Sequence, residues 1–321
     1  MTFTKTFADR FSLASVDGED GVLLDLVTGE FYRVDRVGVV ICKALAEGAG
    51  ASGAAAATVR NFTVSRTQAQ ADVRALVASL ARPARRRRQK RPVTFREAGD
   101  GFDMFVGRRH ALHVERTAGS VETRRRDPAL LRLVAPHVLA LQGRAVLHAS
   151  AALVGRKIIA FMGPSGVGKT TIAEILRSAG APTISRDLLV MADARRAFLG
   201  GEAAIATWSR RRARIIYASP LGAASRAPAS PVGAILIVER GASGSALRID
   251  ELRGAPAIAA LLENAFVELP DRRVWRRALD MCRALAAQGL VRRAQVPEGR
   301  AALGRVLTAW VAGGARVTRR R

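Results

Sequence analysis

Apolar residues recur with two different periods along this chain, and each period names an element. In GVLLDLVTGEFYRV (21–34), two runs of strand-forming residues flank Thr28-Gly29, which predicts a β-hairpin. Over about 35–47, Val37, Val40, Ile41, Ala44 and Leu45 share one helical face, and Gly48 with the AGASGAAAA stretch is read as ending that helix. Over about 66–80, Val73, Leu76, Val77 and Leu80 repeat at helical spacing, and Ser65 with Gln68 fits a capping box. Farther on, residues 93–117 read as a hairpin or meander with a turn at 99–101. A helix near 128–141 follows, then strands at 146–154 and 157–162, and then a helix beginning at Gly168. Strands at 186–191 and 233–239 and helices near 272–288 and 299–312 complete an alternation that predicts an α/β class.

Between the two patterns, RPARRRRQKRP (82–92) carries seven basic residues and two prolines, the signature of an exposed linker. It divides the chain into an N-terminal unit (1–82), a linker (83–92) and a larger unit (93–321). A hairpin with short helices in about 80 residues is too small to bury an active site of its own, and reads as a binding module. No aromatic residue interleaves the basic run for base stacking, so no specific nucleic acid is expected as a partner.

Charge narrows the partners further. Lys and Arg total 52 against 27 Asp and Glu, a net charge of +25, and only five of the basic residues are Lys. Such a surface attracts nucleotides, acidic peptides, nucleic acid or anionic membranes without choosing among them. Cys42 and Cys282 are too few and too far apart for a disulfide scaffold or a four-cysteine zinc site. His110 and His113 lack nearby ligating partners, so no metal site is expected there. Trp208, Trp275 and Trp310 are read as core residues. With no apolar run of signal-peptide or membrane-spanning length, the chain is expected to be cytoplasmic, with no membrane partner.

The segment KIIAFMGPSGVGKTTIAEIL carries G-x-x-x-x-G-K-T at Gly163, Pro164, Ser165, Gly166, Val167, Gly168, Lys169 and Thr170, with Thr171 beside them. Glycines at this spacing let the backbone curl so that successive N–H groups face a β-phosphate. Lys169 reaches the terminal phosphates, and Thr170 offers its hydroxyl to Mg²⁺. An apolar strand before the motif and an amphipathic helix after it supply the context it requires, and a nucleoside triphosphate with Mg²⁺ is the expected ligand pair. Upstream lies His148, and 18 residues beyond the lysine lies Asp187. An imidazole and a carboxylate beside a γ-phosphate are what phosphoryl transfer to a hydroxyl requires. Glu239, at the end of AILIVE, stands where a metal-facing carboxylate is found, and equally where a strand-end Glu pairs with an Arg.

In order and spacing, LHASAALV, FMGPSGVGKTT, ISRDLLV and PVGAILIVERG resemble the catalytic domain of HPr kinase/phosphorylase over about residues 93–315. The resemblance implies a P-loop core of the phosphoenolpyruvate-carboxykinase/HPr-kinase type that phosphorylates a protein or peptide serine. His148 and an acidic residue after the P-loop helix would stand at the γ-phosphate. Members carry an Asp pair there; this chain has Arg186-Asp187, so one carboxylate is missing. The longer glycine-rich signature of true HPr kinases is also absent, so HPr itself is not the expected substrate.

The segment GVLLDLVTGEFYRVDRVGVVICKAL is similar to the PqqD family, with Asp35 where Asn is usual and Gly38 in its place. That resemblance implies a small α+β winged-helix domain. Such domains capture the leader of a ribosomally made precursor peptide as an added strand, by β-augmentation. A DNA-binding winged helix or a dimerisation module stays open from the residues alone. Together the two resemblances imply an ATP-dependent Ser/Thr peptide kinase, with His148, Asp187 and Lys169 catalytic and Thr170 and Asp187 on Mg²⁺. The rival readings are a non-catalytic, nucleotide-gated peptide chaperone and a nucleic-acid-stimulated NTPase. A homo-oligomer is left open.

Overall fold

A computed structural model describes residues 3–16, 18–80, 93–97, 100–106, 112–116, 140, 145–186, 188–193, 195–198, 229–241, 246–265 and 272–312. The basic linker and, apart from Ala140, the helix expected near 128–141 lie outside the described residues. Two compact units emerge, one gathering residues 1–89, 252–263 and 270–289 and the other the remainder.

The first unit opens with α1 (Phe3–Arg10) and a three-stranded antiparallel meander, β1 (Phe11–Ser15), β2 (Gly21–Asp25) and β3 (Phe31–Val34). Then come α2 (Arg36–Ala46), α3 (Gly50–Asn61) and α4 (Arg66–Leu80). Leu23 joins the core that Ile41, Leu45, Ala54, Val73 and Leu80 build from these helices. Its neighbours Val22 and Leu24 project from the opposite face by strand alternation, yet are equally buried, so both faces of the sheet are covered. Besides α2, two later helices pack on the sheet: α6 (Gly254–Glu263) and α7 (Arg272–Ala287). This departs from the expectation of a second unit unbroken from residue 93. The reason is apolar demand: α6 is buried at Ala255, Ala257, Ile258, Ala259, Leu261 and Leu262, and the sheet face offers the matching surface.

Local signals explain most of these elements. The Asp35 side chain caps α2 by accepting from the Gly38 N–H at 2.8 Å. Ser65 accepts from the Gln68 N–H at 3.1 Å, while the Gln68 side chain turns to Asp72 at 2.7 Å, so half of the expected capping box forms. The AGASGAAAA stretch, read as a helix end, instead forms α3. Gly48 at φ +89° breaks the chain from α2, and alanine's helix propensity then restarts it two residues later.

The second unit is built on a mixed sheet. Its strands are β8 (Ser150–Val154), β9 (Lys157–Met162), β10 (Thr183–Ser185), β13 (Ala229–Arg240), β14 (Arg248–Glu251) and β15 (Val291–Val296), in the order β10-β8-β9-β13-β15-β14. β12 (Arg196–Phe198) also pairs with β13. β9, β13 and β15 are mutually parallel at the centre. The helices α5 (Lys169–Ser178) and α8 (Arg300–Ala312) close the core, with Ile172, Leu176, Leu303 and Leu307 meeting Phe161, Leu236 and Val238. The single strand expected at 146–154 is interrupted at Ala149. Its first part, β7 (Val146–His148), pairs with β11 (Leu188–Val190) rather than with the main sheet. A separate meander comprises β4 (Val93–Glu97), β5 (Asp100–Val106) and β6 (Leu112–Arg116). No helix among the described residues is long and apolar enough to cross a membrane.

Candidate phosphate-binding site

β9 is a central parallel strand, and the chain leaves its carboxyl end directly into the loop 163–168 before α5 begins. Sites in open α/β sheets form at such carboxyl ends. Three glycines shape the turn, with Gly163, Gly166 and Gly168 at φ +140°, +78° and +105°. At Gly163 the need is also one of space, since a Cβ there would lie 2.7 Å from the Val238 carbonyl oxygen of β13. At Gly166 and Gly168 no atom of the described residues lies within 4 Å of where a Cβ would stand. Gly168 caps α5 without a side chain, so the capping position itself covers none of the first-turn amides. Pro164, Ser165, Gly166 and Thr170 are exposed, while Val167, Gly168 and Thr171 are half-buried.

Lys169 is buried, 9% exposed, and its Nζ donates to the carbonyls of Gly163 at 2.7 Å and Pro164 at 3.1 Å. The ammonium is therefore held along the inside of the loop. Two residues that sequence reasoning passed over hold the loop from outside. Asn264 accepts the Gly163 N–H on its Oδ1 at 3.1 Å, and Arg240 donates from Nη2 to the Gly166 carbonyl at 2.7 Å. Arg240 lies in the segment PVGAILIVERG, but nothing in the sequence ties either residue to the loop, because each acts across a separation far larger than any local motif.

His148, half-buried, ends β7; its backbone N–H donates to the Asn264 carbonyl at 2.7 Å, so one residue bridges this strand and the start of the loop. Asp187 lies outside the described residues. Its neighbours are tied to the His148 segment: Leu188 pairs with His148, and the Arg186 carbonyl accepts from the Ser150 hydroxyl at 2.6 Å. Ser185 completes the tie by donating to the Ala149 carbonyl at 3.0 Å. Both hydroxyls are buried and satisfied, which fixes the 148–150 and 185–188 segments side by side. Glu239 accepts from Arg293 Nε at 3.1 Å, the structural pairing that the sequence had left as one of two readings. Among the described residues, no cluster of three or more His, Cys, Asp or Glu could hold a metal.

In the other unit, Asp35 and Gly38 have a visible cause. A carboxylate caps α2 as an amide would, and a Cβ at position 38 would crowd Val34 Cβ at 3.0 Å and Asp35 Oδ1 at 3.2 Å.

Residues 20–82 match the family model described as Coenzyme PQQ synthesis protein D (PqqD). Among solved structures, the chain is similar to the HPr(Ser) kinase/phosphatase from Coxiella burnetii. The identity is 11% and the TM-score 0.27, over 53% of this chain and 95% of that one. No curated protein matches.

Proposed function

We propose that the protein is an ATP-dependent kinase acting on a Ser or Thr of a ribosomally made precursor peptide or small protein, captured by its PqqD-like unit. The observation that carries the nucleotide half is the loop 163–168, with its three positive-φ glycines and inward-held Lys169, placed between a central parallel strand and a glycine-capped helix start. The match at residues 20–82 supports the peptide half. On this reading the larger unit is a P-loop core of the phosphoenolpyruvate-carboxykinase/HPr-kinase type.

The residues present fit a polyphosphate. Backbone amides from Gly166 to Thr170 and the Lys169 ammonium stabilise negative charge that develops on the phosphoryl oxygens. Thr170 and Asp187 would hold Mg²⁺, which would supply neutralisation of the phosphate charge. As the acceptor hydroxyl oxygen bonds to phosphorus, its proton passes to His148 or Asp187, and the bond to the departing nucleoside diphosphate breaks. Arg186, standing where the resemblance expects a second carboxylate, favours one other reading, a peptide chaperone gated by nucleotide but without transfer.

The deciding experiment is the intact mass of a precursor peptide, encoded beside the gene, after incubation with the protein and Mg-ATP. A gain of one phosphate that disappears in Lys169→Ala supports the kinase. An unchanged mass with nucleotide-dependent peptide binding leaves the chaperone.

A further inference from the structure

Arg240 is the last residue of β13, and its backbone is fixed by its neighbour strand. It pairs in register with Val296 of β15, and the next amide, Gly241 N–H, donates to the Val296 carbonyl at 2.8 Å. From that rigid base its guanidinium reaches the Gly166 carbonyl at 2.7 Å. Its charge is not committed to the adjacent carboxylate, because Glu239 is paired with Arg293.

Gly166 is exposed and sits at φ +78°, and among the described residues no atom lies within 4 Å of where a Cβ would stand, so none of them packs its orientation in place. Among the described residues, the other hydrogen bond on its peptide runs 3.3 Å from the Val167 N–H to the Pro164 carbonyl, at the long end for such bonds. A trans peptide is planar, with C=O and N–H pointing in opposite directions. Fixing the Gly166 carbonyl therefore fixes where the Val167 amide points, and with it the entry to Gly168.

We infer that Arg240 is a positioning residue of the phosphate loop: by holding the Gly166 carbonyl it sets the peptide plane that presents the loop amides to a nucleoside polyphosphate. The inference rests on the nucleotide-binding reading above. It assigns Arg240 an effect on the whole loop rather than on the terminal phosphate alone.

The test compares full-length wild type with Arg240→Ala and Arg240→Lys, titrated with Mg-ATP and Mg-ADP by calorimetry. Thermal unfolding without nucleotide checks that each variant is folded. Arg240→Ala is expected to weaken ATP and ADP by the same factor, about three- to fivefold for a lost charge-assisted hydrogen bond that solvent reaches. Arg240→Lys, which keeps a cationic donor, is expected to recover part of the loss for both. A loss confined to ATP overturns the positioning role in favour of direct contact with the γ-phosphate. Unchanged affinities for both nucleotides overturn it outright while leaving nucleotide binding intact. Failure of the wild type to bind either nucleotide removes the underlying reading, and the inference with it.

Discussion

Asn264 and Lys169 hold the two polar groups of Gly163 from different sides: its N–H donates to Asn264 Oδ1 at 3.1 Å, and its carbonyl accepts from Lys169 Nζ at 2.7 Å. The loop's first residue is thereby fixed before any ligand arrives. Asn264→Ala removes the acceptor and is expected to destabilise the protein by about 1–3 kcal/mol, the cost of an unmet amide in a buried setting. Asn264→Asp keeps the acceptor but sets a negative charge against the phosphate loop. Its melting temperature should stay near wild type while its affinity for Mg-ATP falls by roughly tenfold or more. An Asp variant that binds nucleotide as tightly as wild type would count against placing phosphates at this loop.

Gly163 itself is constrained twice, by its φ of +140° and by the 2.7 Å approach to the Val238 carbonyl. Gly163→Ala forces β9 and β13 apart at the loop's root. The expected outcome is a lost thermal shift on adding Mg-ATP, together with a drop of about 1–3 kcal/mol in unfolding free energy. A variant that retains the full nucleotide-induced shift shows that the loop tolerates the displacement.

A similar conflict governs the turn between β2 and β3. Gly29 is at φ +76°, and a methyl group there would overlap the Trp275 indole of α7, which lies against the turn. Gly29→Ala should cost roughly 2 kcal/mol or more, read by urea denaturation, from backbone strain and overpacking together. Pairing it with Trp275→Leu should recover part of that loss by removing the overlap. A Trp275→Leu background that makes no difference would assign the whole effect to the backbone.

The sequence made legible whatever depends on neighbours in the chain. The helices at 36–46 and 66–80 announce themselves through apolar spacing and through caps at Asp35 and Ser65, and the turn at Gly29 through its residue type. The loop at 163–168 was legible for the same reason. Long-range partners were not: Asn264 lies 101 residues from Gly163, and Arg240 lies 74 from Gly166. β15 was hidden because two adjacent arginines interrupt its alternation, although Val291, Ala294 and Val296 are buried. α6 has apolar residues nearly all round, so it shows no helical stripe, and the break at Ala149 is dictated by which strand pairs with which. For Asp187, proposed above as an acid/base and metal residue, the case rests on sequence.

Burial gives the two cysteines a measurable pH signature. Desolvation pushes the thiols of Cys42 and Cys282 from 9.0 up to about 12. The unfolded chain therefore loses these protons near pH 9, whereas the folded protein keeps them until about pH 12. In that window the unfolded state binds fewer protons, so stability falls as pH rises, by up to about 1.4 kcal/mol per pH unit for each thiol. Urea midpoints at pH 8, 9 and 10 should decline less in a Cys42→Ala, Cys282→Ala variant than in wild type. Equal declines would show that other groups dominate. Below pH 9, neither thiol should react with a charged thiol reagent until the protein is unfolded.

The last prediction concerns Arg10 and Asp25, which join α1 to the end of β2. Arg10 donates from Nε at 3.0 Å and from Nη2 at 2.7 Å to Asp25 Oδ2, while Asp25 Oδ1 accepts the Val27 N–H at 2.8 Å. The two partners differ in exposure: the Asp25 side chain is fully buried and that of Arg10 is 32% exposed. Arg10→Ala leaves a buried carboxylate without its cation and should cost about 3 kcal/mol or more. Asp25→Ala leaves an arginine that can turn toward water and an unmet amide at Val27, so it should cost less, about 1–3 kcal/mol. A double-mutant cycle should then return a favourable coupling, because removing both residues spares the cost of the stranded carboxylate. The reverse order of single-variant costs would mean that the turn-capping role of Asp25 outweighs the pair. Arg10 lies outside residues 20–82 and so does Trp275, yet both brace the sheet of that unit. A chain cut to the matched residues alone is therefore expected to lose stability beyond what its own helices provide, which circular dichroism during urea titration would measure directly.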